Sequence, residues 1–214
     1  MKYVVEKFGV KIPSRKLECR RQVGNSRWTS RGFSDPYTSS NTANINALPQ
    51  LPPNTGCCGS TRITTPEGAV RIDELQPGQL LGHGTNRCKV GSVLSGPAPR
   101  DCYLLRAPYF GTDHDVILAP DQTLVFRSMI AEYMFGSETV MVPIWALADG
   151  RKVQHFETRK DTKMYQLQLD SPAPLQVGNC RVSALLKPNT TEGRLLTTQE
   201  ARSFAAEYRN GFSN

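Results

Sequence analysis

A cysteine that directly follows a glycine, as Cys57 follows Gly56 in Gly56-Cys57-Cys58-Gly59, can attack the preceding carbonyl and convert the amide into a thioester. Sulfur is an effective nucleophile once a base or a lowered pKa supplies thiolate. The reaction also needs an acid, usually histidine, to protonate the departing amide nitrogen, and hydroxyl or backbone N–H donors to hold the oxyanion. The chain has three histidines. His83, in the turn Gly82-His83-Gly84-Thr85-Asn86, and His155, in the polar segment 152–163, read as solvated loop residues. His114 stands between Asp113 and Asp115, which favour its protonated form. It reads better as a surface histidine at a strand entrance than as a catalyst.

The elements that must position Cys57 read as short strands. Residues 61–65, a turn at Pro66-Glu67-Gly68, residues 69–72 and a second turn around Pro77-Gly78 lead into Leu80-Leu81. Gly96-Pro97 reads as a further turn. Near the end, Thr197 and Glu200 form a capping-box pattern, Ala201, Phe204, Ala205 and Tyr208 make an apolar stripe, and Asn210-Gly211 supplies a stop. Such a stripe is usually packed against its own domain, with docking to a partner as the alternative.

Blocks from Cys57 onward fall in a recognisable order: Ala119-Pro120-Asp121-Gln122, residues 131–136, Val140-Met141-Val142-Pro143, residues 146–150, and Tyr165-Gln166-Leu167-Gln168-Leu169-Asp170. The series resembles the Hint domain shared by hedgehog proteins and inteins, in its bacterial form, over residues 56–188. The resemblance implies a mainly β fold: a compact Hint-like domain of short curved strands, with an extended N-terminal arm and one C-terminal helix. It also implies that Cys57 should lie near the strand containing residues 117–125.

The chain departs from the family where the chemistry resides. Family positions for a hydroxyl and three imidazoles hold Ala119, Gln122, Gln166 and Pro172. The opening loop is one residue short, so either Cys57 or Gly56 occupies the nucleophile slot. Gln122 and Gln166 form hydrogen bonds but relay no proton near neutral pH. Losing one proton-transfer group costs about a hundredfold to ten-thousandfold in rate. Cys57 is therefore a vestigial nucleophile candidate, with Cys58 beside it.

The 214 residues suffice for one well-buried core. Six cysteines, Cys19, Cys57, Cys58, Cys88, Cys102 and Cys180, show neither a Cys-x-x-Cys pair nor zinc-site spacing, which suggests free thiols, no metal and no cofactor. Vicinal Cys57 and Cys58 would make a strained disulfide. No apolar run is long enough for a membrane span, and residues 1–7 lack the apolar stretch of a signal peptide. A cytoplasmic or particle-associated protein is expected.

Basicity is concentrated at the start. Residues 1–56 hold nine Lys/Arg and three Asp/Glu, whereas residues 57–214 hold 17 and 16. The arm, residues 1–33, interleaves Lys11, Arg15, Lys16, Arg20, Arg21, Arg27 and Arg31 with Trp28 and Phe33, a composition suited to an acidic protein surface or to nucleic acid. A solvated basic tail is an equally ordinary account. Residues 2–12, with Tyr3, Val5, Phe8, Val10 and Ile12 among polar neighbours, suit a strand added to another sheet. Residues 34–55 read as a Ser/Thr/Asn/Pro-rich linker, 56–188 as the Hint-like domain, and 189–214 as a loop with the terminal helix.

Three functions follow as expectations. The first is a non-catalytic Hint-fold structural or interaction protein, joined by its arm to other chains of a large particle such as a phage virion. The second is an autoprocessing domain that cleaves at Gly56-Cys57 by an N–S acyl shift. The third is nucleic-acid binding through the basic leader.

Overall fold

The computed structural model describes residues 51–82, 84, 87–185 and 193–211. The basic arm, residues 34–50 of the linker, and His83 lie outside the described residues. The described part belongs to one compact unit and is mostly β.

The short strand β1 (Cys57–Cys58) sits in the middle of the larger sheet. Next come β2 (Arg62–Thr65), which pairs with β3 (Gly68–Arg71) as a hairpin, then β4 (Leu80–Leu81), β5 (Cys88–Pro97), β6 (Asp101–Leu105) and β7 (Val116–Leu118). The chain continues through β8 (Thr123–Arg127), helix α1 (Met129–Phe135), β9 (Thr139–Pro143), β10 (Val153–Glu157) and β11 (Lys163–Leu169). Last are β12 (Leu175–Val177), β13 (Cys180–Val182), β14 (Arg194–Leu195) and α2 (Thr198–Gly211). Among the described residues, one sheet runs β10-β6-β7-β1-β11-β5-β4 and a second runs β12-β13-β8-β9-β14. Cys57 faces Leu118 on one side and Tyr165 on the other, which brings together the blocks of the sequence resemblance as expected.

The strand β7 alternates, with Val116 and Leu118 buried, while β11 buries Met164 and Gln166 and then, out of step, Leu167 and Leu169. The hairpin β2–β3 follows the predicted turn, with Thr65 Oγ1 donating to the Gly68 carbonyl at 2.6 Å. Gly96-Pro97 is not a turn. The two residues end β5 and pair with Met164 and Lys163, and Gly96 is a glycine because Leu51 packs close to where a Cβ would stand, at 3.3 Å. The last five linker residues join the folded body: the Asn54 carbonyl accepts from the Asp121 N–H, and Leu51 packs on Gly96.

One element is additional to the single helix expected. Helix α1 is seven residues long, capped by Ser128, whose side chain accepts from the Ala131 N–H, and ended by Gly136 in the left-handed region (φ 66°). The terminal helix is as read, its capping box closed by Glu200 accepting from the Thr197 N–H at 3.0 Å. It continues through Asn210 and Gly211 instead of stopping before them. Ala201, Phe204 and Ala205 are fully buried against the β body, with Phe204 and Tyr208 at 5.2 and 5.0 Å from the Phe126 ring. The stripe is thus core, and truncating Phe204 to alanine would cost about 3–5 kcal/mol.

Candidate functional site

Gly56 is held from both of its backbone faces. Its carbonyl accepts from the Ala119 N–H at 3.0 Å, and its N–H donates to Gln122 Oε1 at 2.9 Å. Its φ is +112°, and a Cβ there would stand 2.9 Å from the Tyr165 carbonyl oxygen and 3.2 Å from Met164 Cβ. A side chain is excluded by both conformation and space.

Gln122 is the hub of this centre and is 1 % exposed. Its Oε1 accepts a second hydrogen bond from Gln166 Nε2 at 3.2 Å, while its Nε2 donates to Ser183, to both carbonyl and Oγ, at 2.9 Å. Thr123 Oγ1 lies 2.6 Å from the same Ser183 Oγ. The two glutamines that the sequence resemblance sets at histidine positions therefore meet, although they are 44 residues apart in sequence. Gln166 Oε1 is buried with no donor among the described residues.

Cys57 lies beside this network but is turned into the core, with no exposed surface. Burial, reinforced by Cys180 and then Cys58, pushes its thiol up to about 12. Burial does the same to Cys180, also to about 12. At neutral pH neither is a thiolate, so neither is primed to attack a carbonyl. Cys58 is half-buried and its sulfur accepts from Ser60 Oγ at 3.7 Å.

A proton donor for cleavage at Gly56-Cys57 would have to reach the nitrogen of Cys57. Gln122 instead contacts the nitrogen of Gly56, one peptide unit upstream, so the group standing in for the family acid addresses the bond between Thr55 and Gly56. The short opening loop left Gly56 and Cys57 as alternatives for the nucleophile slot. The hydrogen bond of Gln122 favours Gly56, which has no side chain to act as nucleophile.

His114 is elsewhere. Its Nδ1 is 2.6 Å from Asp113 Oδ1, and its Nε2 accepts from the Arg62 N–H at 3.1 Å, which ties the loop before β7 to β2. That pattern places the ring proton on Nδ1 and uses both nitrogens structurally. The same hydrogen bond holds the Asp113 carboxyl below its ordinary range. His155 is in β10 rather than a loop, exposed beside Asp101 and edge-on to Tyr103. The arm residues Lys11, Arg15, Lys16, Arg20, Arg21, Arg27 and Arg31 lie outside the described residues.

Ser183 and Cys180 were not legible as site residues. Val177-Gly178-Asn179-Cys180 signals a hairpin, and the structure has one between β12 and β13. No residue type in that segment announces that Ser183, just past β13, would anchor Gln122.

No curated protein matches the chain. Among solved structures, a bacterial intein-like domain from Clostridium thermocellum is 15 % identical, covering 62 % of this chain and 99 % of its own, with a TM-score of 0.46. The gp41-1 intein is 12 % identical over 61 % of this chain and 98 % of its own (TM-score 0.44), and the PabCDC21-1 intein is 12 % identical over the same shares (TM-score 0.45). The family model described as Hint domain matches residues 57–188, more than half of the sequence. The chain belongs to the Hint domain family.

Proposed function

We propose that this Hint domain is non-catalytic and acts as a structural or interaction module, with its basic N-terminal arm tethering it to other protein chains of a large assembly such as a phage virion. The hydrogen bond from Gly56 N–H to Gln122 Oε1 carries the non-catalytic reading. It holds an amide that cannot deliver a proton on Gly56, a residue with no side-chain nucleophile, and one peptide unit away from the Cys57 nitrogen that an acid would have to reach. The buried, protonated Cys57 supports the same reading. The tethering role is supported by the excess of Lys/Arg in residues 1–56 and by a composition too poor in apolar residues to fold alone.

Intact mass of the purified full chain, before and after days with hydroxylamine or a strong thiol, tests the catalytic half. One species near 23.7 kDa throughout is expected. A fragment ending at Gly56, lost in Cys57→Ala and retained in Cys58→Ala, would establish autoprocessing instead.

A further inference from the structure

A cavity of about 470 Å3 opens between β8, β9, the turn Ile144–Leu147 and the start of α2. Its walls include Trp145, Met141 and Leu195, Asp121 stands on its lining, and Thr123 and Ser183 contribute the only hydroxyls apart from Thr198 at the first turn of α2. Thr123 and Ser183 are 8 % and 9 % exposed.

Counting hydrogens on those two buried residues leaves one unused. Ser183 Oγ already accepts from Gln122 Nε2, and Thr123 Oγ1 and Ser183 Oγ share a single hydrogen across 2.6 Å. Two hydroxyls carry two hydrogens. Whichever of them donates within the pair, the other O–H has no acceptor among the described residues, and both line the cavity. Both oxygens have partners, and the spare O–H is left to an acceptor supplied from the cavity.

The remaining walls define the acceptor. Trp145, Met141 and Leu195 offer apolar area, and Leu195 is 59 % exposed although it is a large hydrophobic residue. The Arg202 guanidinium, 5.8 Å from the Trp145 ring, fixes one face of the indole. Asp121 on the lining and the Arg202 guanidinium over Trp145 bring one charge of each sign to the site, which favours a neutral ligand. The volume is that of a small-molecule site.

We propose that this cavity binds a small neutral ligand with one carbonyl acceptor, an amide or ester, on an apolar body. The carbonyl oxygen sits on the Thr123–Ser183 hydroxyl pair, and the apolar body lies against Trp145, Met141 and Leu195. The site uses only the far side of Ser183 from Gln122, so it is independent of whether Gly56 is a reaction centre.

The test is a fluorescence and NMR titration of the full chain carrying Trp28→Phe, which leaves Trp145 as its one indole. N-acetylphenylalaninamide represents a peptide source and hexyl acetate an acyl-ester source. N-acetylphenylalanine as its carboxylate and butylbenzene, which lacks a carbonyl, are the controls. Saturable binding of either carbonyl probe, about tenfold or more tighter than both controls, is expected, since one hydrogen bond to a buried donor is worth about that factor. Leu195→Arg, at a 59 % exposed position and with its melting temperature checked against the parent, should weaken the probe about tenfold or more. No saturation by either carbonyl probe, equal binding of butylbenzene, or unchanged affinity in Leu195→Arg would each overturn the proposal.

Discussion

Gln122 Oε1 stands 2.9 Å from the backbone nitrogen of Gly56, whereas the residue with the thiol is Cys57. The consequence is a mismatch of one peptide unit between the nitrogen that Gln122 contacts and the nitrogen of Cys57. Replacing Ala119 by Thr and Gln122 by His restores the missing residue types but not their alignment. The double variant is therefore expected to stay uncleaved over days by intact mass, and a fragment ending at Gly56 would show that the imidazole can reach the Cys57 nitrogen after all.

Gln122→Leu probes the structural role of the same side chain. It leaves the Gly56 N–H and the Gln166 amide without their acceptor, and a buried group so orphaned costs about 1–3 kcal/mol. A loss of that size or more in urea denaturation is expected. A neutral effect would mean that water or a rearrangement replaces the amide.

Gly56→Ala should also destabilise, by about 1–3 kcal/mol, because φ of +112° is unfavourable for alanine and the new Cβ would press on the Tyr165 carbonyl. Gly68, at φ 132° and likewise outside the left-handed helical region, has open space around its missing Cβ and isolates the conformational part. If Gly68→Ala costs as much as Gly56→Ala, the close approach at Gly56 contributes nothing.

The thiols give a pH-dependent readout. In a background carrying Cys19→Ser, iodoacetamide at neutral pH should label Cys58, which is half-buried, and spare Cys57 and Cys180 until the protein unfolds. The folded pKa of Cys57 is raised from 9.0 to about 12 by burial, so its contribution to stability is complete below pH 9 and is lost as pH rises toward 12. Cys57→Ala should flatten the alkaline fall in stability relative to the parent chain. An identical alkaline limb in both proteins would place the titrating group elsewhere.

The order of blocks around Ala119-Pro120-Asp121-Gln122 and Tyr165-Gln166-Leu167 made the convergence on Cys57 legible through its resemblance to the Hint family, whereas the hairpin at Pro66-Glu67-Gly68 was read directly from turn residues between short strands. The capping box at Thr197 and the stripe ending at Tyr208 were likewise legible from local pattern. Helix α1 was not, since seven residues give less than two turns of periodicity and only Ser128 and Gly136 mark its ends. The partner of Gln122 was not legible either. Ser183 reaches it across 61 residues through the pairing of β13 with β8, a contact that depends on sheet assembly and leaves no local pattern.

The arm can be separated from the body at a boundary set by the packing of residues 51–55. Since Leu51 lies on Gly96 and Asn54 accepts from Asp121, a chain starting at residue 51 keeps those contacts, and removal of residues 1–50 is expected to leave the melting temperature of the β body within a few degrees of the parent. The same truncation should abolish joining to the assembly, because it removes all nine of the cationic side chains before Gly56. A salt series on the isolated 1–50 peptide distinguishes the modes of attachment. Binding to an acidic protein surface or to nucleic acid should weaken steeply between 50 and 200 mM salt, by about a thousandfold where six or more phosphates are contacted, whereas strand addition through Tyr3, Val5, Phe8 and Val10 rests on backbone hydrogen bonds and should change little. If the truncated chain assembles as well as the full one, the arm is not the tether.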